Sequence, residues 1–222
     1  MEELRRHEIF EIEALEALKN NRFLEPLVFG GGTMLRLCYE LNRYSTDLDF
    51  WIIKKLDTKA YFNKLKKYLA GIWELTDACV KFNTLLFEIR SQASPKRLII
   101  EIRKEFAGIC DYQEKIAFSK YSTKQVLLKT FTLEQMMKNK ISAALERKDI
   151  RDFFDIEFLL RLGVKLECAP PKFQLLREIV SAFKEKDFKV TLGSVLEADT
   201  RQYYLKNKFE YLLSRGLSFG KS

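Results

Sequence analysis

The stretch from residue 26 to residue 53 constrains the fold more than any other part of the sequence. It starts with a short apolar run at 26–29, passes through glycines at 30–32 and continues from 34 to 41 without a helix breaker. The run at 48–53 is rich in aromatic and β-branched residues, which favour strands. This order predicts a strand, a glycine turn and a helix, followed by a second strand.

The remaining periodicities divide the chain into a mixed half and a helical half. Two further runs, 79–90 and 97–106, alternate as strands do, whereas helical spacing prevails after residue 123 and begins clearly at Thr132. We therefore expect an α/β (α+β) fold: a domain at 1–122 with a mixed sheet and flanking helices, followed by an all-helical C-terminal domain at 123–222.

Cysteine and histidine usage excludes several classes of enzyme. The four cysteines, at 38, 79, 110 and 168, lie far apart, and His7 is the only histidine. Zinc fingers, zinc hydrolases and Ser-His or Cys-His nucleophile pairs are therefore excluded. We interpret His7, the cysteines, Trp51 and Trp73 as structural. No segment approaches the roughly 18–20 apolar residues of a membrane span, so we expect a cytoplasmic protein with free thiols and no membrane partner.

The charge balance permits an anionic partner without requiring one. The 222 residues carry a net charge of +8, and most of the positive excess follows residue 122. Nucleic acid fits this asymmetry, and a mildly basic surface that serves only solubility fits it equally well.

The glycine turn has both a chemical and a purely structural interpretation. A helix that begins just after a strand presents backbone N–H groups and the positive end of its dipole, which bind phosphate oxygens. The same glycines would suit a simple tight turn. The segment matches neither the Walker pattern nor the dinucleotide-binding pattern.

Three carboxylates form a candidate metal site. Asp47 and Asp49 are two residues apart on a predicted strand and therefore share a face, and Glu101 interrupts a strongly apolar strand. Such hard oxygen ligands suit magnesium, and three of them can hold the two metals of phosphoryl and nucleotidyl transfer. Alternatively, Asp47 and Asp49 lie at a solvated strand edge and Glu101 pairs with Arg103 or Arg43.

The helical half carries a second candidate cluster. Lys140 falls within an apolar helical stripe, so its ammonium needs a partner, such as a triphosphate or nearby aspartates, unless it reaches solvent at the rim. Asp152 and Asp155 share one face of a helix predicted at 149–162. They either contribute to an active site or stabilise the helix N-terminus and pair with Arg147 and Arg151.

A resemblance to the AbiEii-type nucleotidyltransferases lies in the run FGGGTMLRLCYELNRYSTDLDF. These are toxins of type IV toxin–antitoxin and abortive-infection systems within the DNA polymerase β-like superfamily. The superfamily pattern is matched by Gly31, Gly32, Thr33, Asp47 and Asp49. The more specific pattern Arg-x-Ser-x-Asp-x-Asp-Phe is matched by Arg43, Ser45, Asp47, Asp49 and Phe50.

Two downstream segments extend this resemblance. RLIIEIRKEF is similar to the family's apolar strand with a central acid, here Glu101, where the superfamily more often has aspartate. The segment MMKNKISAALERKDIRDFFDIEFLL resembles the last two motifs, in which Lys140 faces the nucleotide and an R-D-x-x-D element corresponds to Arg151, Asp152 and Asp155. The motifs span residues 31 to about 160.

The resemblance implies a nucleotidyltransferase-type mixed sheet and a magnesium-dependent enzyme, with manganese as an alternative metal. Such an enzyme moves a nucleoside monophosphate from an NTP to an acceptor hydroxyl. It further implies a cleft between the two halves, an RNA acceptor such as tRNA, and an antitoxin partner. On this basis Asp47, Asp49 and Glu101 are metal ligands. The catalytic set adds Lys140, Asp152 and Asp155, and the nucleotide-binding set is Gly31, Gly32, Thr33, Arg43, Ser45 and Lys140. The alternative is a non-catalytic nucleotide- or RNA-binding module on the same fold.

Overall fold

The computed structural model describes residues 1–106 and 110–215 and divides them into two compact units. The first unit comprises residues 1–40 and 44–131, and the second comprises residues 41–43 together with the chain from Thr132 onward. The predicted boundary at residue 122 falls before the last strand of the sheet, so the structure places the division after Phe131 instead. Residues 216–222 of the predicted helical domain lie outside the described residues.

The first unit is built on a seven-stranded mixed sheet with the order β3-β4-β5-β2-β1-β7-β6. β2 runs parallel to β5 and β1 runs parallel to β7, whereas the other neighbours are antiparallel. The strands are β1 (Leu27–Gly30), β2 (Asp47–Ile52), β3 (Glu74–Val80), β4 (Thr84–Arg90), β5 (Leu98–Phe106), β6 (Tyr112–Phe118) and β7 (Gln125–Phe131).

Three helices accompany the sheet: α1 (Glu2–Asn20), α2 (Gly31–Tyr39) and α3 (Thr58–Ile72). Asp57 caps α3, because its carboxylate accepts hydrogen bonds from the backbone N–H groups of Lys59 and Ala60. Phe62 on α3 stacks on Phe87 of β4 with ring centroids 5.0 Å apart, which fixes α3 on that face of the sheet.

The two faces of the central strands differ in burial. Leu48, Phe50 and Ile52 of β2 are buried, whereas the alternate residues from Asp47 to Trp51 are only half-buried. β5 repeats this pattern: Ile100 and Ile102 are buried, and the alternate residues Ile99, Glu101 and Arg103 are not. One face therefore carries the core, and the other, which we call the open face, carries the candidate carboxylates.

The second unit is helical: α4 (Leu133–Arg147), α5 (Ile150–Arg161), α6 (Pro170–Ala182), α7 (Ala198–Asn207) and α8 (Glu210–Arg215), with a π-helical and a 3-10 segment between α6 and α7. Glu157, which is fully buried, accepts hydrogen bonds from Arg161, the Tyr204 hydroxyl and the Leu212 backbone N–H. This carboxylate thereby joins α5 to α7 and α8.

The fold class is confirmed, with two local corrections. The run at 79–90, interpreted as one strand, is a hairpin, because the chain turns at residues 81–83 between β3 and β4. β6 and β7 were not predicted, and they add a further hairpin at the β1 edge of the sheet.

Candidate active site

The strand register brings the three candidate metal ligands to one part of the open face. β2 and β5 pair in parallel, with Asp47 opposite Ile99 and Asp49 opposite Glu101. Directly opposed residues project on the same side of a sheet, and so do residues two apart on one strand. Asp47, Asp49 and Glu101 therefore share the open face, and all three are half-buried.

The glycine turn lies against the second of these carboxylates. β1 pairs with β2 so that Gly30 is opposite Asp49, and the next residue, Gly31, starts α2. Gly31 has φ of +76°, and a Cβ added there would overlap the Asp49 carboxylate. Glycine is thus required at 31 for two reasons, the backbone conformation and the approach of the carboxylate.

Other predicted phosphate-binding residues lie in the first turn of α2 or just before β2. Gly32 and Thr33 are buried, and the Thr33 hydroxyl has no hydrogen-bond partner within the described structure. A buried hydroxyl without a partner, directly after the glycine pair, is a hydrogen-bonding group that a phosphate oxygen could satisfy. Ser45 is half-buried in the segment that leads into β2.

The donor chemistry fits a magnesium ion that is completed by substrate. Across residues 1–106 and 110–215, no group of three His, Cys, Asp or Glu side chains is arranged to hold a metal ion. Magnesium is commonly held by one or two protein carboxylates together with phosphate oxygens and water. Asp47 and Asp49, with Glu101 opposite, meet that requirement in type and in register.

His7, a buried side chain of α1, contacts the backbone just before β2. This contact was missed by sequence reasoning. The Nε2 atom of His7 lies 3.0 Å from the carbonyl oxygen of Thr46, the residue before Asp47, and 3.6 Å from Glu11 Oε1. Because a carbonyl only accepts, Nε2 carries the hydrogen. Burial lowers the pKa of His7, which favours the neutral ring.

Glu11, one helical turn after His7 on α1, adds a buried carboxyl group next to the His7 ring. Its carboxyl is fully buried, and Oε1 has no hydrogen-bond partner in the described part of the chain. Burial raises the pKa of Glu11 well above its ordinary value, and the charges of Glu8 and Asp47 raise it further against the opposing effect of Arg36. The i, i+4 spacing of His7 and Glu11 was the available sequence signal, because it places both on one helix face.

In the second unit, Lys140 meets the two aspartates that the sequence offered as its partners. Its ammonium lies 3.0 Å from Asp152 Oδ1 and 2.6 Å from Asp155 Oδ2, and its side chain is 8% exposed. Asp152 also pairs with Arg147, at 2.8 Å, whereas Arg151 pairs with the helix cap Asp149. Lys140 therefore does not reach solvent at the rim, and its charge is matched by buried carboxylates.

Arg43 belongs to the same cluster rather than to an exposed phosphate site. Its Nε and Nη2 atoms donate to the two oxygens of Asp155 at 2.6 and 2.7 Å, a bidentate pair that is almost fully buried. Burial acts to raise the pKa of Asp155, but the charges of Arg43 and Lys140 outweigh it, so the pKa lies below its ordinary value. Arg43 thus keeps Asp155 ionised and fixed beside Lys140.

Comparison with protein families identifies the chain. The family model described as nucleotidyl transferase AbiEii toxin of type IV toxin–antitoxin systems matches residues 13–210. The chain belongs to the AbiEii nucleotidyltransferase family. No curated protein is significantly similar to it in sequence.

Solved structures share the AbiEii fold of this chain. A candidate nucleotidyltransferase from H. pylori aligns with a TM-score of 0.55 at 19% identity over 96% of this chain and 98% of its own. JHP933 from Helicobacter pylori aligns with a TM-score of 0.50 at 20% identity over 92% and 96% of the two chains. At this identity the likeness extends to the fold alone.

In this AbiEii chain the predicted site residues fall into two groups, one in each unit. The first unit carries the glycine turn, Thr33, Ser45 and the three carboxylates. The second carries Lys140, Asp152 and Asp155 with Arg43, which comes from the 41–43 segment. Within the described residues, no helix is both long enough and apolar enough to cross a membrane.

Proposed function

We propose that this AbiEii nucleotidyltransferase moves a nucleoside monophosphate from an NTP to a hydroxyl of an RNA such as tRNA. The acceptor oxygen forms a bond to the α-phosphorus, the bond to the bridging oxygen breaks, and pyrophosphate leaves. The observation that carries the proposal is the register of β2 and β5, which sets Asp49 opposite Glu101 with Asp47 on the same face.

In this proposal Asp47 and Asp49 bind divalent metal, and Glu101 completes the set. The metal, magnesium or manganese, would supply charge stabilisation to the transferring phosphate and to both reacting oxygens. Glu101 also lies on the face where a carboxylate can take the proton of the acceptor hydroxyl.

The glycine turn and the first turn of α2 bind phosphate in this proposal. Gly31 and Gly32 start α2, so no side chain stands beside the backbone N–H groups at its N-terminus, and a phosphate could approach them closely. The unpartnered Thr33 hydroxyl adds a donor in the same turn. Ser45 remains a predicted nucleotide contact on the strength of the family motif.

Lys140 remains a predicted nucleotide contact on the strength of the family motif, and Asp152 and Asp155 hold its ammonium in place. Arg43, predicted as a direct nucleotide contact, is better assigned as a positioning residue, because Asp155 occupies its guanidinium. Its effect on the nucleotide then passes through Asp155 and Lys140.

As a type IV family member, the protein acts in the proposal as a toxin in the cytoplasm whose effect an antitoxin opposes. The net charge of +8 supports an RNA substrate.

The test is transfer of label from each α-labelled NTP to total RNA in the presence of magnesium. Asp49→Asn should lower transfer at least 100-fold without unfolding the protein, because it removes a charged ligand and preserves its shape. Asp77→Asn, which alters an exposed aspartate on β3 of the same sheet, is the matched control and should retain activity. Unchanged turnover in Asp49→Asn would refute the metal-ligand assignment. RNA binding without pyrophosphate release from any NTP would favour a binding module.

A further inference from the structure

An aromatic side chain is fully displayed at the tip of the β3–β4 hairpin. Phe82 is 92% exposed, and the next most exposed large apolar residue in the described chain is Val80, in the same hairpin, at 56%. The turn is short and defined, because the Lys81 backbone N–H donates to the Thr84 carbonyl at 2.8 Å. The hairpin therefore presents an apolar ring to solvent on a defined turn, and folding gains nothing from burying it.

The base of this tip continues a row of residues on the open face. Trp51 of β2 is opposite Arg103 of β5, and Arg103 is opposite Thr84 of β4. Val80 pairs with Leu85, so the next pair toward the turn is Lys81 opposite Thr84. Lys81 therefore continues the row from Thr84 onto the other strand of the hairpin. The Arg103 guanidinium carbon lies 5.3 Å from the centre of the Trp51 ring, so the row combines an aromatic ring and two cations.

This row is adjacent to the carboxylates of the proposed active site. Trp51 comes two residues after Asp49 on β2, and Arg103 comes two residues after Glu101 on β5. Two residues on a strand span about 6.6 Å, and β3 lies two strand spacings, roughly 10 Å, from β5. A continuous strip thus leads from Asp49 and Glu101 past Trp51 and Arg103 to Phe82.

The charge along the outer part of the strip is positive. Lys81 and Arg103 lie on it, and Lys104 is held beside the turn because its backbone N–H donates to the Asn83 carbonyl at 2.8 Å. Glu105 is the acidic residue next to them. Lys81 and Arg103 outnumber this one acid on the outer part of the strip, which favours an anionic ligand.

We propose that this strip, from Phe82 through Lys81 and Arg103 to Trp51, binds a single-stranded segment of the acceptor RNA. A base stacks on Phe82, and the cations contact phosphates, so that the strand runs toward the carboxylates. The inference rests on the proposed function for the identity of the acceptor, and it adds the surface and the single-stranded form. Bases must be unpaired to stack on an exposed ring, which is how aromatic platforms select single strands.

The experiment compares the affinity of the full chain for a fluorescent 12-nucleotide RNA, single-stranded or as a duplex, among the wild type, Phe82→Ala, Phe82→Trp and Tyr112→Ala. Tyr112 is the matched control, since it is an aromatic residue 47% exposed on β6 at the opposite edge of the sheet.

Phe82→Ala should weaken single-strand binding about 5- to 100-fold, as expected for one lost base stack. Phe82→Trp and Tyr112→Ala should bind like the wild type. Lys81→Gln should reduce the slope of log binding constant against log salt concentration by about 0.7.

Equal affinity of Phe82→Ala and wild type would overturn the inference, as would equal binding of duplex and single strand. A change in self-association in Phe82→Ala, with RNA affinity unaltered, would assign the tip to protein contact and also overturn it. Pyrophosphate release, measured on the same samples, reports the proposed function separately. Release without single-strand binding leaves the proposed function in place and rejects the strip. RNA binding that depends on Phe82, without pyrophosphate release, supports the strip and rejects the proposed function.

Discussion

Gly31→Ala is the substitution whose effect on the site can be worked out most directly. With φ of +76°, Gly31 has a backbone conformation that costs a side-chain-bearing residue about 1–2 kcal/mol. The new methyl group would also overlap the Asp49 carboxylate, so that carboxylate or the first turn of α2 must move. Displacement of a catalytic group by about 1 Å can cost on the order of 100-fold in rate. We therefore expect transfer to fall about 100-fold, with a stability loss of about 1–2 kcal/mol from the backbone conformation and a further loss from the overlap.

Gly163→Ala separates the two causes. Gly163 has φ of +87°, and no atom lies within 4 Å of an added Cβ. The control should therefore lose only the backbone contribution of about 1–2 kcal/mol, measured by urea denaturation, and retain its rate of pyrophosphate release within about twofold. The reasoning is refuted if both variants lose activity equally, or if Gly31→Ala keeps wild-type turnover while folded.

Three further substitutions test other parts of the structure. Arg43→Ala leaves Asp155 buried without its bidentate partner and should cost about 3–5 kcal/mol in urea denaturation, where a loss below about 1 kcal/mol would contradict the buried pair. Thr132→Ala removes the side-chain oxygen that accepts from the Gln135 N–H and should cost about 1 kcal/mol, with Thr191→Ala, altered at an exposed position, as the control. Glu11 has a folded pKa above its unfolded value, so its contribution to stability is complete below about pH 4.3 and is lost as pH rises toward the folded pKa. Glu11→Gln should lack that decrease in metal-free buffer, and an unchanged pH–stability profile would contradict the assignment.

The local elements near the site could be predicted because each has a signal in consecutive residues. Helical spacing begins at Thr132 in the sequence, and Thr132 caps α4, with its hydroxyl accepting from the Gln135 N–H at 3.2 Å. The Gln135 side chain donates to Asn139 instead of completing a capping box. Gly163 follows α5 with a positive φ, as glycines that end helices commonly do. Caps and turns depend on a few neighbouring residues, so sequence reasoning finds them.

Contacts between distant parts of the chain could not be predicted in the same way. Arg43 and Asp155 are 112 residues apart, and nothing in the sequence indicates that Arg43 joins the helical unit through them. The pair formed by His7 and the Thr46 carbonyl is equally remote. β7 was missed because it lies next to helical periodicity and its exposed residues include Leu127, which blurs the alternation.

The register of β2 on β5 links the core to the chemistry of the site. Asp49 and Glu101 stand directly opposite each other, and like charges in that arrangement repel. Two unit charges about 5 Å apart interact by roughly 3 kcal/mol at an effective dielectric near 20. A slip of β2 by one residue would relieve the repulsion, but it would also turn Phe50 and Ile52 out of the core, at about 1.5–3 kcal/mol for each such side chain. The apolar face therefore holds two carboxylates together against their repulsion, and a divalent cation bound between the strands would relieve it.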